Sequence, residues 1–410
     1  MMADLLAPTK PHVPVWITPY LTDVSSTDCG SDDGYYFSAY SPIDQVFLAT
    51  GLRISTDFDM IGGYALLSVA GHQTEVRFNR GWRQDFSLKI GPYSVEFIEP
   101  LRKIRVKLDT NDSGMTFDLL WEGASPPWLE EHHASASRGR HMTDRGRYSQ
   151  PGTADGRITI GDRCWKISGD RWSGSRDHSW GLDAGRAPHI PSRTPLPPEH
   201  MSGSQRALRL RTVFRSGHYS GFWHLHELAD GDQVEINGAP SSPFGGRLFR
   251  GWADETIELR SGMHRIELEQ DTHILKRARV VLVDTQGREW RQELEILPPP
   301  WLPIMMMVMG SAPSSCGNGG TRHTDHGSEG LAIEWYQSDF LDRPVAHGPY
   351  CVGDYDAKDD LGLGLEYAKS VHGCEYLSKI TTFAPDGSRH VGAGEIEFFI
   401  NGPDRPLGLE

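Results

Sequence analysis

Cysteine is scarce in this chain. There are five in 410 residues, Cys29, Cys164, Cys316, Cys351 and Cys374, odd in number, widely spaced and without a C-x-x-C. That argues against a disulfide framework and against a structural zinc site. Long apolar runs are missing too. The longest, near Trp301 to Met309, contains Pro303 and falls far short of the roughly 20 residues a membrane span needs. No basic segment accompanies Asp4, so no signal peptide is expected and the cytoplasm is the default location. Positive charge is in deficit, with 41 Lys+Arg against 55 Asp+Glu and a formal charge of -14. A general binder of nucleic acid or anionic membrane needs a basic footprint, so neither partner is expected. No G-x-x-x-x-G-K-[ST], G-x-S-x-G or H-E-x-x-H occurs, and no glycine-rich strand–turn–helix signature. Nucleotide, flavin and serine-hydrolase chemistry therefore lack local support, and no cofactor is expected.

What is present is β texture. Tyr35 to Tyr40, Val46 to Ile54, Tyr64 to Val69 and Thr74 to Phe78 are rich in aromatic and branched residues. Tyr93 to Ile98 and Ile104 to Leu108 alternate apolar with polar, the period of half-buried strands. Asn111 to Gly114 reads as a turn before the strand Met115 to Trp121. From Glu122 to Gly156 the pattern lapses, which predicts a long connection, partly helical, that covers a pocket. Arg157 to Ile167 is β-like again, and Ala187 to Gln205 reads as a linker. Strands recur from Leu208 to Ile296, with turn signals at Asn237-Gly238 and Asp284 to Gly287, and again at Leu331 to Tyr336 and Glu395 to Ile400. The expected fold is all-β: two consecutive antiparallel barrel or sandwich domains, 30–195 and 206–400, with few short helices.

The richest chemistry lies in Gly174-Ser175-Arg176-Asp177-His178-Ser179-Trp180-Gly181. On an extended strand Arg176, His178 and Trp180 share one face, and Asp177 and Ser179 the other. This R-D-x-S-W-G pattern, with Gly221-Phe222-Trp223-His224, Asp284 to Gly287 and Gly392-Ala393-Gly394-Glu395, resembles the hydroxyneurosporene synthase (carotenoid 1,2-hydratase) and AttH-like superfamily. The resemblance implies a tandem of lipocalin-like barrels. It also implies cofactor-independent chemistry on greasy substrates, as in carotenoid hydratases, tocopherol cyclase-like proteins, kievitone hydratase and fungal Diels–Alderases.

Such a barrel encloses one small apolar ligand. Asp177 is the expected catalytic acid if a dry pocket keeps it protonated, and Arg176 in contact with it would act the other way. His178 is the expected donor or base. Arg176, Trp180, Phe222, Trp223, His224 and His226 are expected to bind substrate, Trp180 by facing developing positive charge. His224 and His226 also form a H-x-H pair, but no third ligand stands at diagnostic spacing, so no metal is assigned. His323, Asp325 and His326 read as a solvated loop, and Met305, Met306, Met307 and Met309 as a core plug or pocket lining. Two functions follow: a hydratase/dehydratase, isomerase or cyclase for a terpenoid, steroid or aromatic compound, or a non-catalytic carrier of such a ligand. A homodimer is left open.

Overall fold

The computed structural model describes residues 31–55, 60–70, 72–130, 132–137, 140–183, 208–228, 230–231, 243–252, 255–270, 275–297, 331–339, 345–347, 373–400 and 407. The linker, the Asn237-Gly238 turn, the methionine run and the His323 to His326 knot lie outside them. Among the described residues the regular elements are strands joined by turns, with a short 3-10 turn at Trp82–Gln84. No helix there is long and apolar enough to cross a membrane.

The strands run β1 Ser31–Ser41, β2 Val46–Ser55, β3 Met60–Val69, β4 His72–Gly81, β5 Lys89–Ile90, β6 Tyr93–Glu99, β7 Lys103–Leu108, β8 Met115–Gly123, β9 Trp128–Leu129, β10 His133–Ser137, β11 Arg140–Ile160, β12 Arg163–Ile167 and β13 Ser173–Asp183. They continue as β14 Leu208–Ser216, β15 Tyr219–Glu227, β16 Phe244–Phe249, β17 Thr256–Leu268, β18 Leu275–Asp284, β19 Glu289–Ile296, β20 Leu331–Asp339, β21 Val345–His347, β22 Gly373–Phe383 and β23 Arg389–Ile400. The first sheet is ordered β21-β20-β4-β3-β2-β1-β13-β11-β8-β7-β6-β5, and β14 to β19 close with β22 and β23 into a barrel. Two consecutive antiparallel barrel-like sheets result, as the composition predicts. One strand crosses between the two runs: β20 follows the second run in the chain but pairs with β4 of the first sheet along Leu331 to Asp339.

The first sheet curls. Arg80 of β4 donates to the Lys89 and Ser87 carbonyls beside β5, at the sheet's far end in pairing order. Its inner face is the apolar row of β1 to β8, from Tyr35 and Phe37 through Val76 and Phe78 to Phe117 and Trp121. β8 alternates strictly, with Met115, Phe117, Leu119 and Trp121 inside. β2 and β3 do not alternate, because both of their faces are buried. Tyr40, Phe47, Ala49 and Leu66 on the outer face pack against Leu377 and Ala393 of the closed barrel. That double burial is why these segments read as continuous apolar runs.

The stretch expected to be a connection is instead the centre of the first sheet. β11 has 21 residues and pairs with β8, β9, β10, β12 and β13. Its sequence hides this for two reasons. Arg147 and Ser149 point out toward the second barrel's charged groups, so the outer face is polar. On the inner face Gly146 and Gly152 stand where apolar side chains would be expected, because indole rings lie over them. A Cβ at Gly152 would come within 2.2 Å of the Trp121 ring. Gly152→Ala should therefore cost about 1–3 kcal/mol in chemical denaturation through overpacking. An unchanged midpoint would show that Trp121 moves freely.

The turn readings hold. Asn111 Oδ1 accepts the Ser113 amide at 3.0 Å, and Gly114 has φ +71. Asp284 Oδ1 accepts the Gln286 and Arg288 amides and Gly287 has φ +80.

Candidate functional site

β13 carries the R-D-x-S-W-G residues as an extended strand between β1 and β11, so its side chains alternate as the spacing predicts. Register places His178 opposite Tyr35 and Tyr148, and Arg176 opposite Phe37 and Gln150. Arg176, His178 and Trp180 face the interior of the first barrel, while Asp177 faces out.

Inside, His178 is fully buried and its Nε2 lies 2.6 Å from Asp33 Oδ1. A carboxylate only accepts, so Nε2 is the nitrogen that carries the hydrogen toward it, and in the neutral ring Nδ1 is then the basic nitrogen. Nδ1 has no partner among the described residues. The imidazole stacks on Tyr35 at 4.1 Å and stands 5.2 Å from both Tyr148 and Trp180. Burial pushes the Tyr148 hydroxyl up to about 12, against the pull of Arg176, so it stays a proton donor at neutral pH. Two residues along the same face, Arg176 is 1% exposed and donates to the Tyr148 hydroxyl. Its guanidinium lies 5.1 Å from the Tyr148 ring centre and about 6 Å from those of Phe37, Phe97 and Trp121. Each such contact is worth about 0.5–2 kcal/mol. A buried donor left without an acceptor costs about 1–3 kcal/mol, more when charged. Arg176 Nε and Nη1 are both in that state among the described residues.

Outside, Asp177 does not join His178. It accepts from Arg147 at 2.5 Å and lies 3.7 Å from Arg211 of β14, in the contact between the barrels. For Asp177 as an acid in a dry pocket, the sequence reading weighs only Arg176, its neighbour, as a cation that could oppose it. The observed ones are across the sheet and across the interface. Arg211 also binds Glu397 and Ser149, and Arg209 binds Glu397 at 2.7 Å. Burial pushes Glu130 and Glu397 up, but the arginines around them outweigh it and hold both below the usual carboxylate range. Glu395 accepts from Tyr36 at 2.7 Å, Ser38 at 2.8 Å and Ser175 at 2.5 Å. Burial holds it above the ordinary range despite those bonds.

Burial, with Glu395 and Glu397 beside it, raises Glu375 well above a normal carboxyl. Its folded form keeps a proton that the unfolded chain gives up. Native stability therefore falls as pH rises from the ordinary carboxylate range toward that raised value. Glu375→Gln removes this loss. The variant should match the wild type near pH 4 and exceed it by about 1 kcal/mol or more near pH 8, read by denaturation at both pH values. Equal stability across that range would show that Glu375 ionises normally.

The second predicted group divides between two places. Trp223 points into the closed barrel and donates to Gln292 at 2.8 Å. Phe222, His224 and His226 line its outer face, where Trp128 of β9 meets Phe222 at 4.6 Å and His224 at 6.2 Å. These belong to the barrel contact and not to the Arg176–His178 interior. No group of three or more His, Cys, Asp or Glu among the described residues is placed to hold a metal. Sequence reading missed Asp33, Trp121 and Tyr148, whose partner on β13 is remote in sequence. Glu395 was visible only as the end of a Gly-Ala-Gly-Glu pattern.

Compared with known proteins, residues 12–362 match the model of a "Family of unknown function (DUF8625)". No curated protein matches the chain. Among solved structures, kievitone hydratase from Nectria haematococca is 9% identical with a TM-score of 0.42, covering 97% of each chain. CghA with Sch210972 is 9% identical with a TM-score of 0.42, covering 90% of this chain and 88% of that one. Both likenesses are distant.

Proposed function

The chain belongs to a family of unknown function, and we propose for it an acid–base activity on a small hydrophobic molecule held inside the first barrel. One observation carries the reading. His178 is fully buried among Tyr35, Tyr148 and Trp180, its Nε2 is fixed by Asp33, and its Nδ1 is left unpartnered among the described residues. A base oriented by a carboxylate, with its other nitrogen buried among aromatic rings and unpartnered among the described residues, is suited to taking a proton from carbon or oxygen. Asp33 would stabilise the imidazolium that forms, and Tyr148 would supply a proton to a substrate oxygen. Returning the proton to another carbon gives isomerisation. Sending it out with a departing hydroxyl, as water, gives dehydration, and the reverse is hydration. Cyclisation follows if the carbon left electron-rich attacks within the same molecule. Flat or ring-bearing substrates such as terpenoids, steroids and aromatic compounds match the lining. Asp177 takes no part in this step and holds the barrels together through Arg147 and Arg211.

The direct test is independent of the net reaction. Terpenoid, steroid and phenolic compounds that raise the melting temperature are incubated with the protein in D2O and analysed by mass spectrometry. Deuterium at a carbon position, lost in His178→Ala, is the expected result. Bound compounds that never gain deuterium or change would remove the acid–base reading and leave a carrier.

A further inference from the structure

We infer that the ligand of the first barrel is an anion, with a carboxylate or enolate oxygen on a flat apolar body, and that Arg176 and Trp121 form its receptor. The inference rests on the proposed site for its location only. Arg176 is 1% exposed, and no carboxylate among the described residues pairs with it. The acids on its own strand and on the paired β1 beside His178 are already engaged: Asp33 by His178 inside the barrel, and Asp177 by Arg147 on the opposite face of the strand. One nitrogen, Nη2, is used on Tyr148, and Nε and Nη1 have no acceptor among the described residues. Trp121 adds a third donor that lacks an acceptor among the described residues. Its ring centre is 6.0 Å from the guanidinium carbon, and its buried Nε1 has no acceptor there either.

Ring faces shield a guanidinium from above and below, but they do not satisfy hydrogens in its plane. A buried positive group whose in-plane donors lack acceptors, and which has no counter-ion among the described residues, would be completed by an anionic oxygen arriving with the ligand. Arg176 and His178 are two residues apart on one strand face, roughly 7 Å. The anionic oxygen would thus sit about one ring's length from the position at which His178 moves a proton. That separation suits an acid conjugated to the reacting carbon.

The test compares acids with neutral analogues of the same shape: 2-naphthoate against 2-naphthalenemethanol, and trans-cinnamate against cinnamyl alcohol, by calorimetric titration at pH 7.5. In the wild type at least one acid should bind about tenfold or more tighter than its alcohol. Arg176→Gln should bring that pair to near-equal affinity. Trp121→Phe, which keeps a ring and removes the N–H, should weaken the acid several-fold and leave the alcohol unchanged. His178→Ala should retain the preference for the acid, so loss of proton transfer and loss of anion recognition are read separately. Equal affinities in the wild type, no binding of either acid, or a preference that survives Arg176→Gln overturns the inference. If Arg176→Gln does not fold, unchanged acid binding in Trp121→Phe overturns it alone.

Discussion

Replacing Arg211 by alanine should cost about 3–5 kcal/mol of stability, among the largest effects of any single side chain in the contact between the barrels. Arg211 is 4% exposed and binds Glu397 within its own barrel and Ser149 of the other, with Asp177 at 3.7 Å. Its flat face lies 5.0 Å from the Phe222 ring centre. Removing it leaves Glu397 short of a counter-charge in a buried place and weakens the balance that holds Glu130 below the usual carboxylate range. The penalty comes mainly from the charges left behind, so Arg211→Met with Glu397→Leu should recover much of it. Denaturation midpoints of the three variants decide the matter. A loss under about 1 kcal/mol for the single change would mean that water reaches the network and that apolar contacts, such as Tyr40, Phe47 and Leu66 against Leu377, hold the barrels alone.

The second large effect is chemical. Asp33→Asn should lower the rate of proton transfer by about 10²–10⁴ while the protein stays folded. The amide keeps the size of the carboxyl but removes the charge that an imidazolium needs. It can also donate, which would turn the imidazole to the tautomer with hydrogen on Nδ1, the nitrogen that must be a base. Ligand affinity should change little, because Asp33 meets His178 and not the open donors of Arg176. Deuterium wash-in compared with titration of the same ligand separates the two quantities. A rate within a factor of about three of wild type would show that Asp33 merely fills space.

Some of this was legible in the sequence. Alternation alone placed Arg176, His178 and Trp180 on one face and Asp177 and Ser179 on the other. The turns at Asn111 and Asp284 followed from residues that bond their own backbone. The all-β character followed from branched and aromatic runs. The partners of the motif were not legible. Asp33 is 145 residues from His178 and reaches it only because β1 pairs with β13. Asp177 looked suited to a dry acid because the arginines that clamp it come from β11 and from the other barrel. β11 was invisible as a strand because one face answers to charges across an interface and the other makes room for indole rings. The return of β20 to β4 is a pairing that no local pattern announces.

The central claim is that His178 holds its hydrogen on Nε2 toward Asp33 and offers a bare Nδ1 to the barrel interior. Nitrogen-15 spectra of histidine-labelled protein at neutral pH, with His178 assigned by its loss in His178→Ala, read this directly. The account predicts a pyrrole-type Nε2 and a pyridine-type Nδ1, with Nδ1 shifting when a ligand that exchanges deuterium is added. A pyrrole-type Nδ1 in the free protein, or one indifferent to every such ligand, would contradict it.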